Sequence, residues 1–298
     1  MKPTHSLWPL MVSLALVSCS EQEPAPADSG ADPAPADPKT YLIYDPSFTP
    51  EVGRVYSDVV KHWMSDGKVT ITSQGERMTG TMDFEERTET TMHQLNDGAK
   101  REIITEETGS RVMIINGNPA PDDWEPSVLL NEAVILSKKD GKWEAKLENG
   151  TPSPEQQKRL EQLAKQENEN SEEKFYGTRP RQVGEAWTTD LSGLSFFGEE
   201  KSSEGEATLT LNRVGEHEGQ LCAFMTGTFK YAAAMPESAE GMKGTMKLDL
   251  EFDFIRSLDQ QVDLKCSLKG DILMNMEFPW GSMVVDSPMM MEVSALVK

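Results

Sequence analysis

Alternation of apolar and polar residues with a period of two is the feature that most restricts the fold of this chain. Between Met242 and Phe254 every second residue is apolar or glycine, and the residues between them are Lys, Thr, Asp or Glu. Successive side chains of a strand point to opposite faces, so this segment predicts a strand with one buried and one solvated face. The segment from Val262 to Met276 repeats the pattern.

Other segments with strand character occur on both sides of the middle of the chain. In the C-terminal part they are Ala207–Val214, Leu221–Tyr231 and Met289–Val297, and in the N-terminal part Arg54–Met64, Lys68–Thr72, Met78–Leu95, Ala99–Glu107, Arg111–Ile115 and Val134–Leu147. Asp66-Gly67, Asn96-Asp97-Gly98 and Asp140-Gly141 punctuate the N-terminal set and predict hairpin turns. Sequential strands joined by short turns predict antiparallel meanders.

One helix is predicted between the two sets of strands. Ser153 is placed as the N-cap, Pro154 as the first helical residue and Gln156 as the partner that completes a capping box. Leu160, Leu163 and Ala164 then form one apolar stripe, and the pattern ends near Lys165. The stripe is wide enough to dock the helix on a sheet. The predicted fold is mainly β, a curved antiparallel sheet or half-barrel built from two meanders, with one docking α-helix.

The first residues have the layout of an export signal. Lys2 is followed by an apolar stretch from Leu7 to Val17. A helix of that length spans roughly 16 Å, against about 30 Å for the hydrocarbon core of a bilayer. The run Leu16-Val17-Ser18-Cys19 resembles the lipobox of bacterial lipoproteins.

That resemblance implies cleavage before Cys19 and acylation of its thiol and of the new amine. Ser20, in place of Asp, implies sorting to the outer membrane. Two or three acyl chains hold a protein on a bilayer permanently, whereas one binds only marginally. The alternative is an ordinary cleaved signal followed by a cysteine of no special role.

Residues 19–39 carry five prolines among Ala, Asp and Glu, at positions 24, 26, 33, 35 and 38. Extended polyproline geometry at about 3.1 Å per residue gives this segment a reach of roughly 60 Å. We therefore divide the chain into a signal at 1–18, an acylated cysteine and linker at 19–39, and a β-rich domain at 40–298. Halves at 40–150 and 180–298, joined by the helix at 153–165, leave open whether one domain or two are present.

The order of the predicted elements in residues 40–298 is similar to that of uncharacterised β-rich secreted lipoprotein families of bacteria. It has a β-rich half, then a helix, then Val183-Gly184-Glu185-Ala186-Trp187 as a strand start with a buried tryptophan, then a second meander. These motifs are generic. The resemblance therefore implies a fold and a cell-envelope location, anchored by lipid, without assigning an activity.

Charge and cysteine content restrict the function further. The chain carries 50 acidic and 29 basic residues, a net charge of −21, spread along its length. Nucleic-acid binding needs a concentrated basic face and is not expected. Cys222 and Cys266 are predicted two strands apart, about 9.6 Å, whereas a disulfide needs Cα atoms within about 7 Å. Two buried free thiols are favoured, and a disulfide would mean a different strand order.

Residues typical of catalysis or metal binding do not form a recognisable set. His62, His93 and His217 are isolated in the sequence and lack a paired-ligand spacing. Asp249 and Glu251 imitate a glycosidase pair but fall on the polar face of a strand. Residues 122–125 form an acidic loop, Asp-Asp-Trp-Glu, without the glycine register of a dedicated calcium site. No enzymatic activity, catalytic residue, cofactor or metal is therefore expected.

Methionine is frequent, with 17 in the chain. The simplest interpretation is that the methionines fill the core. A second is that Met246, Met274 and Met276 line a deformable cavity between the sheet and the helix, and that this cavity binds a lipid or another hydrophobic ligand. A third is ligation of copper(I) by thioethers. The alternative function is a structural or interaction protein that docks an envelope partner through Phe278-Pro279-Trp280, with Trp280 as the contact residue.

Overall fold

The computed structural model describes residues 39–120, 124–169, 172–194, 202–235 and 241–297. The signal segment, Cys19 and the proline-rich linker up to residue 38 lie outside the described residues. Asp122 and Asp123 of the acidic loop also lie outside them.

The described residues form a mainly β fold with two helices. In chain order the strands are β1 Thr40–Tyr41, β2 Val55–Ser73, β3 Glu76–Gln94, β4 Lys100–Ile115, β5 Asn118–Pro119, β6 Ala133–Lys139, β7 Lys142–Leu147, β8 Arg181–Gln182, β9 Ala186–Asp190, β10 Ser202–His217, β11 Gln220–Met235, β12 Lys243–Ser257, β13 Val262–Phe278 and β14 Gly281–Val297. The helices are α1 Pro154–Glu169 and α2 Glu172–Tyr176.

Twelve strands make one antiparallel sheet that is not closed into a barrel. Its order is β7-β6-β4-β3-β2-β14-β13-β12-β11-β10-β9, with β5 paired to β4, while β1 and β8 form a separate pair. The two predicted meanders are present, and β14 joins them by pairing with β2 over most of its length. Twisted open sheets of more than about ten strands curl, and the curl lets this sheet cover much of its own buried face.

Two of the predicted strand breaks are wrong. Asp66-Gly67 is a β-bulge inside one continuous strand, because two residues of β2 stand opposite Asp83 of β3. Asp66 takes φ +56°, and its N–H donates to Asp83 Oδ1 at 2.8 Å. The gap predicted between Glu107 and Arg111 is likewise paired throughout as part of β4.

The other predicted turns and the helix start are confirmed. Asp140-Gly141 joins β6 to β7 with positive φ at both residues, and Asn96–Gly98 is a short 3₁₀ turn between β3 and β4. Ser153 Oγ accepts the Gln156 N–H at 3.2 Å, and Gln156 Oε1 accepts the Ser153 N–H at 3.0 Å. Helix α1 continues to Glu169, four residues beyond the predicted end, and α2 was not predicted.

Helix α1 docks on one wing of the sheet. Leu160 packs in a small apolar cluster with Ile104, Leu129, Val134 and Leu136 from the region of β4 and β6. At its C-terminal end Asn168 covers the outer edge of β7, since its Oδ1 accepts the Trp143 N–H at 2.8 Å and its Nδ2 donates to the Trp143 carbonyl at 3.0 Å. A side-chain amide thereby takes the place of a neighbouring strand on an otherwise open edge.

A second, larger core lies on one face of the sheet from β3 to β9, and we call this the core face. It contains the predicted inward residues of the C-terminal meander, such as Leu248, Leu250, Phe252 and Phe254, each at most 3% exposed. Cys222 and Cys266 are both buried and unbonded, on β11 and β13 with β12 between them. This is the strand order on which the prediction of free thiols depended.

A fully buried arginine closes one end of the core face. Arg256 donates to the Ile43 carbonyl at 2.8 Å, to Asp263 at 2.9 Å and to Glu172 at 2.8 Å. Its guanidinium lies 4.4 Å from the ring centre of Tyr176, whose hydroxyl donates to Asp263. The N-terminal segment, α2, β12 and β13 are thus pinned together at this end.

Candidate ligand-binding face

The opposite end of the core face carries a row of apolar residues that are only half-buried. The row crosses six adjacent strands through direct register partners and consists of Met235, Gly244, Met276, Met283, Ile71 and Met78. We call it the methionine row. Five strand spacings give it a length of about 24 Å.

The methionine row borders the buried core. The next row inward contains Met246 and Met274, which are direct cross-strand partners with 5% and 6% exposure, and Val285, which is fully buried. Met276, Met283 and Ile71 pack against this core from outside. Two residues further along the same face, the side chains therefore change from fully packed to partly exposed, and most of the partly exposed ones are flexible thioethers.

The three methionines predicted to line a cavity thus occupy two different environments. Met246 and Met274 are core residues, and Met276 belongs to the exposed row. Helix α1, predicted to cover them, packs in a separate apolar cluster on the β4–β6–β7 wing. The reason is its apolar stripe, which meets Leu129 and Leu136 there. The exposed row to which Met276 belongs is bordered by hairpin turns and not by helix α1.

Trp280 lies at the tip of the β13–β14 hairpin, directly beyond the methionine row. Its ring stacks on Phe278 with centroids 4.6 Å apart and an interplanar angle of 13°, and the residue is 49% exposed. Its carbonyl accepts a hydrogen bond from Ser73 Oγ at 3.2 Å, which ties the tip to the end of β2. The residue predicted as a partner contact is therefore exposed and held in place.

An acidic cluster lies on β2, β3 and β4, in the N-terminal part of the sheet. His62 of β2 and Glu86 of β3 lie directly opposite each other, with Nδ1 and Oε2 3.7 Å apart, and both residues are at least nine-tenths buried. Asp58 lies four residues before His62 on the same face of β2, and Glu102 and Glu107 lie on β4. Glu107 accepts a hydrogen bond from the Ser127 backbone N–H.

Burial raises the pKa of three acids of this cluster. Burial, reinforced by Glu102, raises the pKa of Asp58 to about 7. Burial also raises the pKa of Glu107 to about 7 and raises the pKa of Glu102, the latter with the help of Glu167. Asp58 and Glu107 are therefore protonated in a substantial fraction of molecules near neutral pH.

The remaining sequence candidates stay separate from one another. Asp249 and Glu251 are exposed on the outer face of β12, as expected of a solvated face. His93 lies opposite Val55, and His217 lies beside Glu218 in the β10–β11 hairpin. In the part of the chain that the structure describes, no three His, Cys, Asp or Glu side chains are arranged to hold a metal ion.

Sequence reasoning missed both the methionine row and the acidic cluster. The row is visible only when the register of six strands is known, since its members are scattered between residues 71 and 283. The cluster had one local signal, because Asp58 and His62 share the parity of Val60 and Met64 in β2. Polar residues on a predicted apolar face are the pattern that would have revealed it.

None of the helices within the described ranges has both the length and the apolar character needed to cross a bilayer.

Comparison with known proteins gives only distant matches. No family model matches the chain, and no curated protein matches it. A structure reported under "lipid-protein interactions in lipovitellin" aligns with TM-score 0.40 and 9% identity over 84% of this chain and 26% of that one. This chain therefore spans about a quarter of the lipovitellin chain.

Two further solved structures align with lower scores. A DUF1329 family protein from Desulfovibrio piger has TM-score 0.14 and 10% identity, over 80% of this chain and 84% of that one. A botulinum neurotoxin type C, in a structure concerned with its interaction with two ganglioside molecules, has TM-score 0.14 and 8% identity, over 80% and 78%. At these scores none of the likenesses carries an argument about function.

Proposed function

We propose that the protein is a lipid-anchored, non-catalytic module of the cell envelope that binds a lipid or another elongated hydrophobic ligand on its methionine row. The anchor is Cys19, and the proposed location is the outer membrane. The observation that supports ligand binding is the row itself, with Met276, Met283 and Ile71 side by side and half-buried next to a closed core.

The dimensions of the methionine row suit an acyl chain. Its length of about 24 Å exceeds the roughly 15 Å that one leaflet of a bilayer provides for its acyl chains. Each methylene removed from water contributes about 0.8 kcal/mol. Unbranched thioether side chains adapt their rotamers to chains of different length or unsaturation, so this surface fits a class of lipids better than a single molecule.

Mass spectrometry tests the ligand and the anchor in one sample. The protein is expressed with its leader in a bacterial host, purified from membranes in a mild detergent, and measured under native and then denaturing conditions. We expect an excess mass that is lost on denaturation and extracts into organic solvent. The denatured chain is expected to begin at Cys19 and to carry covalent acyl groups.

A pair of matched variants connects the ligand to the row. Met283→Gln places an amide in the row, whereas Val284→Gln places the same amide one residue away on the opposite, equally half-buried face of β14. Ligand occupancy is expected to fall at least tenfold in Met283→Gln and to stay unchanged in Val284→Gln. Equal occupancy in the two variants, or a bare polypeptide mass for the unmodified protein, refutes ligand binding by the row.

A further inference from the structure

The tip of the β13–β14 hairpin carries an aromatic pair, half-buried Phe278 and exposed Trp280. Phe278 and Trp280 stack on each other, and nearly half of the Trp280 surface is in contact with solvent. An indole combines a large apolar face with one N–H donor, which is the chemistry of residues at the boundary between hydrocarbon and water.

Neighbouring hairpins hold this tip in one position. Ser73 at the end of β2 donates to the Trp280 carbonyl at 3.2 Å. On the other side, a Cβ atom placed on Gly241 would lie 3.2 Å from Pro279, so the residues just before β12 lie against the tip. Because the tip is fixed at both sides, inserting it into another phase requires little ordering of its own backbone.

The tip continues the methionine row. Phe278 lies two residues after Met276 on the same face of β13 and pairs with Gly281. Passing from the core outward along β13, the face therefore changes from buried Met274 to half-buried Met276 and Phe278 and then to exposed Trp280. Apolar residues thus continue along this face of β13 from the core to the hairpin tip.

We propose that the Phe278–Trp280 tip inserts into the interface of a lipid bilayer and presents the open end of the methionine row to the acyl chains. Insertion of about 5–10 Å brings the aromatic pair to the boundary between headgroups and acyl chains. The chain enters the domain at the opposite, Arg256 end. The reach of roughly 60 Å estimated for the linker at 19–39 allows the tip to turn towards the membrane that carries the anchor.

Quenching of tryptophan emission by brominated acyl chains tests this insertion. The full-length protein is reconstituted in phosphatidylcholine vesicles whose acyl chains carry bromine, with further brominated vesicles added outside, and compared with non-brominated vesicles. We expect a quenched component that is absent in Trp280→Phe and retained in Trp143→Phe, whose tryptophan lies on β7. Equal melting temperatures of the three proteins establish that each is folded.

An equal fractional loss of emission in the unmodified protein and Trp280→Phe overturns the proposal, and this is also the result expected if the tip docks on a protein. The readout requires no bound ligand. Failure of insertion therefore leaves ligand binding by the row standing, and an empty row leaves insertion standing.

Discussion

Replacing Arg256 by methionine is the perturbation whose effect on stability can be worked out most fully from the structure. The side chain is completely buried. Its removal leaves Asp263, whose side chain is 13% exposed, without its charged partner, and leaves the Ile43 carbonyl without its donor, while Tyr176 still donates to Asp263. Although burial disfavours its charged form, the pKa of Arg256 is raised by Asp263 and Glu172, so the guanidinium is charged in the folded protein.

The expected loss follows from the difference between buried and exposed ion pairs. Removing one partner of a buried pair costs about 3–5 kcal/mol, because the other charge is left uncompensated. Glu172 has a 49% exposed side chain, and such a pair contributes about 0–1 kcal/mol. For a domain of this size each kcal/mol lowers the melting temperature by about 2–4 °C, so Arg256→Met is expected to lose roughly 6–20 °C.

Urea unfolding followed by tryptophan fluorescence measures these differences. Glu172→Gln serves as the matched control and is expected to lose no more than about 1 kcal/mol. The double variant Arg256→Met with Asp263→Asn is expected to recover part of the loss, because the orphaned carboxylate is gone. A loss in Arg256→Met no larger than that in Glu172→Gln would falsify the assignment of Arg256 as the central buried charge.

Three further predictions concern pH, a bulge and a helix cap. The free energy of unfolding is expected to fall as the pH rises from about 5 to 7, then to level off. Asp58 and Glu107 keep protons up to a pKa of about 7 when folded, against ordinary values of 3.8 and 4.5. Each group contributes at most about 1.4 kcal/mol per pH unit. Gly67→Ala is expected to cost about 1–3 kcal/mol, since its Cβ would lie 2.8 Å from Ser287 Oγ and 2.9 Å from the Met82 carbonyl. Ser153→Ala is expected to cost about 0.5–2 kcal/mol and to speed amide exchange in the first turn of α1.

Each of these has a measurement that decides it. Urea titrations at pH 5, 6, 7 and 8 give the pH slope, and a stability that increases over this range contradicts the pKa assignment. Gly215→Ala is the control for the bulge, because its Cβ would meet only the Arg213 side chain at 3.3 Å. A melting temperature equally unaffected in both glycine variants shows that the bulge accepts a side chain. Unchanged amide exchange in Ser153→Ala would show that the capping box does not stabilise the first turn of α1.

The sequence was sufficient for the C-terminal meander because its two faces differ cleanly. In β12 the core face is apolar or glycine and the outer face up to Asp253 is Lys, Thr, Asp or Glu, and the strands from β10 to β14 pair in the order in which they follow along the chain. The N-terminal meander is harder, since the core-facing residues of β3 include Glu86, Thr88 and Thr90, which weaken the alternation. An Asp-Gly pair also serves in both hairpin turns and bulges, and local sequence does not separate the two.

The candidate site was only partly visible for a related reason. Met276 and Trp280 stand out as single residues, because methionine and tryptophan near a turn are conspicuous. The methionine row depends on six strands in a particular register, and that register includes the pairing of β2 with β14. Contacts between residues so far apart leave no local pattern in the sequence.

The pairing of β2 with β14 also determines how the chain reaches its native state. Tyr56 is paired with Val297 in the middle of the sheet, so the central ladder forms only after both segments have been synthesised. Pairings of such high sequence separation are slow, because loop closure is required before any contact compensates for it. Until then each meander has an unpaired edge that is prone to aggregation. If the chain is exported as proposed, the same delay keeps it unfolded for translocation, and a holding chaperone would be expected to bind these two edges.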